Sequence, residues 1–287
     1  MRRLIPRILT ALLLLAAAPL QAQELKLATW NLDWLTTRAA GDPRLPPDVR
    51  GRSPEDLARL RGYAARLGAD VLALQEVDGP EAAALILDPA QWTLFFPAES
   101  DVQRVAIAVR RGIPAVQNPD LAALDTQPEA EHSLRRGVDV TVTAGGQPLR
   151  LLAVHLKSGC REAPLGEGAA CNTLADQTGV LAGWIAARGA ENAGFAVLGD
   201  FNRRMDRPRD PVLVALRRAA PLLRTTEGVS NPCWGGRPFI DHILLGGPAR
   251  GWLRPDSLRV MVYAETGDGW RDRLSDHCPV SVRLLPP

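Results

Sequence analysis

Phe195 to Leu198 is an apolar run of four residues, and Gly199, Asp200, Phe201 and Asn202 follow it at once. A run that short reads as a buried strand rather than a helix, and Gly199 reads as a sharp turn that lets a carboxylate and an amide emerge at the strand's end. The pattern recurs along the chain. Leu25 to Trp30 alternates and leads into Asn31 and Asp33, Ala69 to Leu74 leads into Gln75-Glu76, and Leu149 to Val154 leads into His155. Phe239 to Leu245 carries Asp241 and His242, and Asp276 and His277 stand immediately before a last strand that runs from Cys278 to Leu284. A capped turn or a solvated strand end accounts for any one of these taken singly. Six separate strands that each deliver such a group make independent solvated ends a coincidence. They point to one polar cluster at a common edge of packed sheets. Side chains alternate along a strand, so Asp241 and His242 face opposite ways and at most one of them can join that cluster.

Between the strands the chain shows helix signals. Ser53-Pro54-Glu55-Asp56 has the form of a capped start, Leu57, Leu60, Ala64 and Leu67 follow at helical spacing, and Gly68 ends the run. Further helices are expected from Pro80 to Leu87, from Asn172 to Arg188 and from Pro211 to Ala220. Strands are expected near Trp92 to Phe96 and from Gln103 to Val109. Val138 to Thr143 and Leu149 to Val154 flank the turn Ala144 to Gln147 as a hairpin. Thr36 to Arg52 and Asp120 to Glu131 read as irregular. With no internal repeat, linker or low-complexity tract, residues 23–287 form one expected domain.

Met1 to Ala22 reads as a secretory signal, with Arg2, Arg3 and Arg7 before an apolar core shorter than the ~20 residues of a bilayer span and a small-residue site at Leu20-Gln21-Ala22. The expected mature chain is therefore periplasmic or secreted and has no transmembrane segment. Its removal leaves 31 Lys and Arg against 32 Asp and Glu, so the formal net charge passes from +2 to −1. The apparent basicity belonged to the signal, and a global positive field of the kind many nucleic-acid binders carry is not indicated. Four cysteines in an exported chain point to disulfides. Three pairings are possible; proximity along the chain favours Cys160-Cys171 and leaves Cys233-Cys278, the first closing a loop worth roughly 3 kcal/mol in the chain-entropy view. No Cys-x-x-Cys spacing suggests zinc.

A cluster rich in Asp, Glu and Asn oxygens suits a hard cation such as Mg²⁺, Mn²⁺ or Ca²⁺. With these residues assembled, the chain resembles the endonuclease/exonuclease/phosphatase superfamily in its deoxyribonuclease I-like form. The motifs that carry the resemblance are Thr29-Trp30-Asn31-Leu32-Asp33, Leu74-Gln75-Glu76-Val77, Val154-His155-Leu156-Lys157, Leu198-Gly199-Asp200-Phe201-Asn202, Ile240-Asp241-His242-Ile243 and Ser275-Asp276-His277-Cys278-Pro279, in the family's order. It implies a four-layered α/β sandwich, with two packed mixed β-sheets flanked by helices.

The resemblance further implies a metal-dependent phosphodiester hydrolase. Glu76 resembles the metal-binding glutamate, with Asn31 and Asp33 assisting and Asp276 as the other metal-side carboxylate. Asp200 resembles the residue that orients or deprotonates the attacking water, and Asn202 the one that holds a phosphate oxygen. Asp241 and His277 resemble the carboxylate-imidazole pair. His155 resembles the histidine that supports the leaving group or the phosphate, with Gln103 standing where deoxyribonuclease I has a glutamate partner. Arg136 lies where that enzyme has a substrate-contacting arginine. Magnesium is the first cation implied. His155 argues against the AP-endonuclease branch. The absence of a long aromatic hairpin of the sphingomyelinase kind tilts the substrate toward nucleic acid over a phospholipid or a phosphorylated small molecule. A catalytically inactive binding protein is disfavoured because every catalytic position is filled. No stable protein partner is implied, and the expected state is a monomer.

Overall fold

Apolar side chains alternate along most strands of the chain, and the two faces so created sort into separate cores. The structure, a computed structural model, describes residues 24–130, 133–267 and 269–287. The expected signal segment lies outside them. The first half comprises β1 (Leu25–Leu35), α1 (Pro54–Leu67), β2 (Val71–Val77), α2 (Pro80–Ala83), β3 (Trp92–Phe95), β4 (Arg104–Arg110), β5 (Ala115–Gln117), β6 (Val138–Ala144) and β7 (Gln147–His155). The second comprises α3 (Ala169–Ala190), β8 (Gly194–Asp200), α4 (Pro211–Ala219), β9 (Leu222–Arg224), β10 (Asp241–Gly246), β11 (Arg259–Val260), α5 (Trp270–Arg273) and β12 (Val280–Leu284).

The strands form two six-stranded sheets, ordered β11-β12-β1-β2-β4-β3 and β5-β6-β7-β8-β10-β9. Each is mixed, because β1 with β2 and β7 with β8 run parallel while the other neighbours run antiparallel. Leu27, Val71, Ile107, Val140, Leu151, Leu198 and Ile243 fill the space between the sheets. Trp30, Leu72 and Leu74 turn the other way and pack with Leu60 and Leu67 of α1, and Leu152 and Val197 pack with Leu181 of α3 and Leu216 of α4. The result is the four-layered sandwich. Each fully buried Leu or Phe in it stabilises the fold by roughly 1.5–3 kcal/mol.

Local signals act as expected in α1. Ser53 Oγ accepts from Asp56 N at 3.2 Å while Asp56 Oδ2 accepts from Ser53 N at 3.4 Å, and Gly68 closes the helix at φ 54°. The hairpin between β6 and β7 turns on Gly145 and Gly146, both at positive φ, which suits the twist of a two-residue turn. Among the described residues, no helix is long and apolar enough to cross a membrane.

Several elements differ from expectation. The helix expected to reach Leu87 is α-helical only to Ala83. Leu85 N and Ile86 N bond back three residues, to Ala82 and Ala83, and Asp88 precedes Pro89, which disfavours continued helix. The first strand, expected to end in Asn31-Leu32-Asp33-Trp34, runs to Leu35. Strands β5, β9 and β11 carry two or three residues each and lie at or beside a sheet edge, where pairing with a neighbour rather than local pattern makes them extended. Gly199 is no turn: it lies inside β8, paired with Val154 and His242. Its φ is +150°, and a Cβ there would fall 1.9 Å from the Val154 carbonyl oxygen. Glycine is needed because the parallel neighbour comes too close for a side chain.

Candidate active site

The alternation that fills the inter-sheet core also delivers the site. Leu27 on β1, Leu151 and Ala153 on β7, Leu198 on β8 and Ile243 on β10 face that core. Continued by twos, the same faces carry Asn31, His155, Asp200 and Asp241. Register completes the alignment, since His155 lies opposite Asp200 and Asp200 opposite Asp241 across three adjacent strands. His242, on the other face, packs against Phe201, accepts or donates with Thr226 at 2.8 Å, and bonds the Arg203 carbonyl through Nε2. Burial pushes its pKa down to about 3, so it is a neutral core residue.

Glu76 breaks the alternation. Counting by twos along β2 puts it with Leu72 and Leu74 under the helices, but its φ is +58° and the pairing register shifts between Asn31 and Leu35 on one side and Leu74 and Val77 on the other. The left-handed residue swings the carboxylate back toward the cluster. Asp33 (φ 46°) and Asn202 (φ 50°) are left-handed too. Such conformations cost about 1–3 kcal/mol each and concentrate where the surrounding structure enforces them.

The contacts run in two linked halves. Asn31 Nδ2 donates to Glu76 Oε1 at 2.9 Å and to Asp200 Oδ2 at 3.2 Å, while Asn31 Oδ1 accepts from Asp33 N at 2.9 Å. His155 Nε2 lies 3.6 Å from Glu76 Oε1 and 3.7 Å from Asp200 Oδ2. On the other side, His277 Nδ1 is 2.7 Å from Asp241 Oδ2, and His277 Nε2 lies 3.7 Å from Asp200 and 3.5 Å from Asp276. Asp200, 1% exposed, stands between the halves and accepts from Asn202 N at 2.7 Å. Asn202 Nδ2 donates to the Leu156 carbonyl at 3.0 Å.

Electrostatics separates the two histidines. Burial disfavours the His277 cation, but Asp241, Asp200 and Asp276 outweigh it and hold the pKa well above the usual histidine value. Burial dominates at His155, and Arg135, His277 and Lys157 add to it, so its pKa falls well below that value and the ring is neutral. No hydrogen bond joins it to Gln103, and its Nδ1 is buried without a partner. Burial raises Asp200 to about 7, with Asp241 and Glu76 adding to the rise against the pull of His277 and Asn202. Burial, with Asp276 and Glu76, likewise raises Asp33 to about 6 despite Arg52 at 3.7 Å.

These raised carboxylates express a local excess of negative charge, and a bound divalent cation would relieve it. Asp200, Asp241 and His277 bring ligand atoms within 4.8 Å of one another. His277 Nδ1 and Asp241 Oδ2 already bond each other at 2.7 Å, so within this trio they form an ion pair beside Asp200. Glu76, Asn31, Asp33 and Asp276 carry the oxygen donors of the kind that a hard cation takes, and these are the residues that would hold one.

Arg136 stands apart from the cluster. Its backbone N donates to Glu99 Oε2 at 3.1 Å and its Nη1 to the Ala98 carbonyl at 3.1 Å. The neighbouring Arg135 is the arginine whose charge reaches Glu76 and Asp200. Sequence reading also missed three supports. Ser275 Oγ donates to the Asn31 carbonyl at 2.7 Å and accepts from His277 N at 3.0 Å, which ties the two halves through the backbone. Arg52 donates to the carbonyls of Leu32, Trp34 and Leu274. Tyr263 OH donates to the His277 carbonyl. Only Ser275 left a trace, as the first residue of Ser-Asp-His. The structure joins Cys160 to Cys171 and Cys233 to Cys278.

The sequence matches the Endonuclease/Exonuclease/phosphatase family over residues 28–277. No curated protein sequence matches the chain. Among solved structures, TDP2 from Caenorhabditis elegans superposes with a TM-score of 0.61 at 16% identity, covering 95% of this chain and 77% of that one. The human Nocturnin catalytic domain with bound sulfate anion gives 0.63 at 15% identity, with 92% and 94% covered. The 3′ phosphatase NExo from Neisseria, bound to a product DNA hairpin, gives 0.59 at 18% identity, with 91% and 99% covered. At these identities the likeness is one of fold.

Proposed function

Because the chain belongs to the endonuclease/exonuclease/phosphatase family, a family of phosphodiester-hydrolysing enzymes, we propose that it is an exported, divalent-cation-dependent phosphodiesterase whose substrate is nucleic acid. The observation that carries this reading is Asp200, buried between Asn31 and two histidines of opposite charge state, with its pKa raised to about 7. A carboxylate poised near neutrality, held on both oxygens, is suited to orient and deprotonate an attacking water.

The other residues divide the remaining work. His277, kept cationic by Asp241, offers a positive N–H to a non-bridging phosphate oxygen. Asn202 is anchored on Leu156 and keeps a second amide hydrogen for the phosphate. His155, neutral and facing Glu76 and Asp200, acts as a hydrogen-bond donor on the phosphate or leaving group rather than as an imidazolium acid. Glu76, with Asn31, Asp33 and Asp276, would hold the cation, Mg²⁺ first among the candidates. That ion would supply charge neutralisation on the phosphate. Arg135 and Arg136 are the arginines on the β6 side that a substrate strand can meet. The two disulfides and the signal-like N-terminus support export.

The test is a panel of single-stranded DNA, RNA, plasmid, sphingomyelin and bis-p-nitrophenyl phosphate, each with Mg²⁺, Mn²⁺ or Ca²⁺, using mature protein and Glu76→Gln. Nucleic acid should be cleaved by the wild type alone, and EDTA should stop the reaction reversibly. Cation-independent turnover, or turnover of sphingomyelin with none of nucleic acid, would overturn this reading.

A further inference from the structure

Next to His277 the surface dips into a recess whose charge is opposite to that of the cluster. Arg161, Arg204, Arg237 and Arg271 line it together with Asn231 and Trp234, and it continues to Asp241, Asp276 and His277. The two carboxylates do not cancel the arginines. Asp241 is engaged by His277 at 2.7 Å, and Asp276 faces Arg271 at 3.9 Å. Arg204 pairs with Glu162. Arg161 and Arg237 are exposed and make no ion pair among the described residues. Two guanidiniums of unspent charge therefore face solvent within the recess that opens onto the His277 end of the site.

Disulfides and hydrogen bonds brace the walls. Arg161 follows Cys160, which is bonded to Cys171 and whose carbonyl accepts from buried Arg203 Nη1 at 3.0 Å. Arg237 lies in the loop that Cys233 bonds to Cys278, the residue after His277. Trp234 of that loop donates to the Ser275 carbonyl at 3.1 Å and stacks on Tyr263, itself bonded to the His277 carbonyl. Cys233–Cys278 thus ties the Arg237 loop covalently beside His277, and Cys160–Cys171 ties the Arg161 loop to the start of α3, which lowers the ordering that capture of an anion there would cost.

We propose that this recess is a subsite for a second phosphate of the substrate, flanking the one that is cleaved. The inference rests on the phosphodiesterase reading and narrows it: the enzyme prefers polyanionic strands to diesters with a single phosphate. It also disfavours a choline phospholipid, whose quaternary ammonium beside the phosphate would meet guanidiniums. Planar guanidinium forks match phosphate oxygens bidentately, and on a phosphodiester strand the anion next to the one at His277 is another phosphate.

The test compares the wild type with Arg161→Ala/Arg237→Ala and with a control of equal charge, Arg61→Ala/Arg218→Ala, on exposed positions of α1 and α4. Binding of a fluorescent single-stranded oligonucleotide is measured by anisotropy in EDTA across a salt series. The recess variant should bind at least about tenfold more weakly, and its slope of log K against log salt should be shallower by about 0.7, the loss of one phosphate contact. kcat/KM should fall by a similar factor on the oligonucleotide and by less than about twofold on bis-p-nitrophenyl phosphate, which lacks a second phosphate. An unchanged affinity and slope, or equal losses in the recess and control variants, would overturn the subsite. So would equal losses of kcat/KM on the two substrates. Binding that depends on the recess in a protein that hydrolyses no diester would keep the subsite and remove the functional reading.

Discussion

Replacing Gly199 by Ala tests whether the close approach of β7 and β8 builds the site. The new Cβ would lie 1.9 Å from the Val154 oxygen, 2.9 Å from its carbon and 3.0 Å from its nitrogen, whereas ordinary contact begins at 3.4 Å. All three atoms are backbone, so no side chain can rotate away, and the strands must part by more than 1 Å on the scale of the ~4.8 Å that separates neighbours in a sheet. Two ladder hydrogen bonds at about 1 kcal/mol each and an alanine at φ +150° at about 1–3 kcal/mol sum to roughly 4 kcal/mol. That is a large part of the ~5–15 kcal/mol available to a typical domain. Because His155 and Asp200 are register partners one step further along, any molecules that still fold should lose about 100-fold in kcat, the usual effect of a 1 Å misplacement. Urea denaturation and turnover of bis-p-nitrophenyl phosphate read the two effects. Gly183→Ala in α3, where nothing lies within 4 Å, is the control and should stabilise by about 0.5–1 kcal/mol. A Gly199→Ala protein within 1 kcal/mol of wild type and fully active would refute the reasoning.

Three further outcomes are expected. Glu99, its side chain 8% exposed and Oε1 unpartnered, has its pKa raised by burial to about 7 from an unfolded value near 4.5. The native state therefore holds the proton longer, and stability falls as pH rises from 4.5 to 7. Glu99→Gln should be near neutral at pH 4 and more stable than wild type by about 3–3.5 kcal/mol at pH 8, at ~1.4 kcal/mol per pKa unit; a gain independent of pH would contradict this. Asp241→Asn removes the carboxylate at 2.7 Å from His277, so the histidine resonance should titrate at lower pH by NMR and kcat/KM at pH 7 should drop on the order of 100-fold, with partial recovery in acid. An unmoved titration would detach the pair. Ser275→Ala leaves the Asn31 carbonyl and the His277 amide without their buried partner, and should cost about 1–3 kcal/mol by thermal denaturation while lowering kcat more than it raises KM.

The legible part of this protein lies in the strands. In Leu149 to His155 or Ala196 to Asp200, apolar runs buried on both faces, period two states which residues share a face and which polar group comes next on it, because the side-chain direction of a strand repeats every two residues. A local rule of that kind needs no knowledge of the partner strand. It also separates Asp241 from His242, and the Ser53 cap and Gly68 stop of α1 are equally local. Short edge strands such as β9 and β11 left no pattern, since two or three residues become extended only when a neighbour offers them hydrogen bonds.

By itself, then, the sequence determined the strand faces, the capped helix and the inventory of polar groups. Tertiary structure alone decided how those groups act. Glu76 reaches the cluster only through a left-handed backbone at a register shift, which alternation puts on the wrong face. Two histidines of identical chemistry take opposite charge states because Asp241 touches one while burial and Arg135 act on the other. Gly199, which looks like a turn along the chain, is a point of contact between strands. Charge state and steric exclusion depend on atoms brought together from distant parts of the chain, and a pattern read along one dimension carries no distances between them.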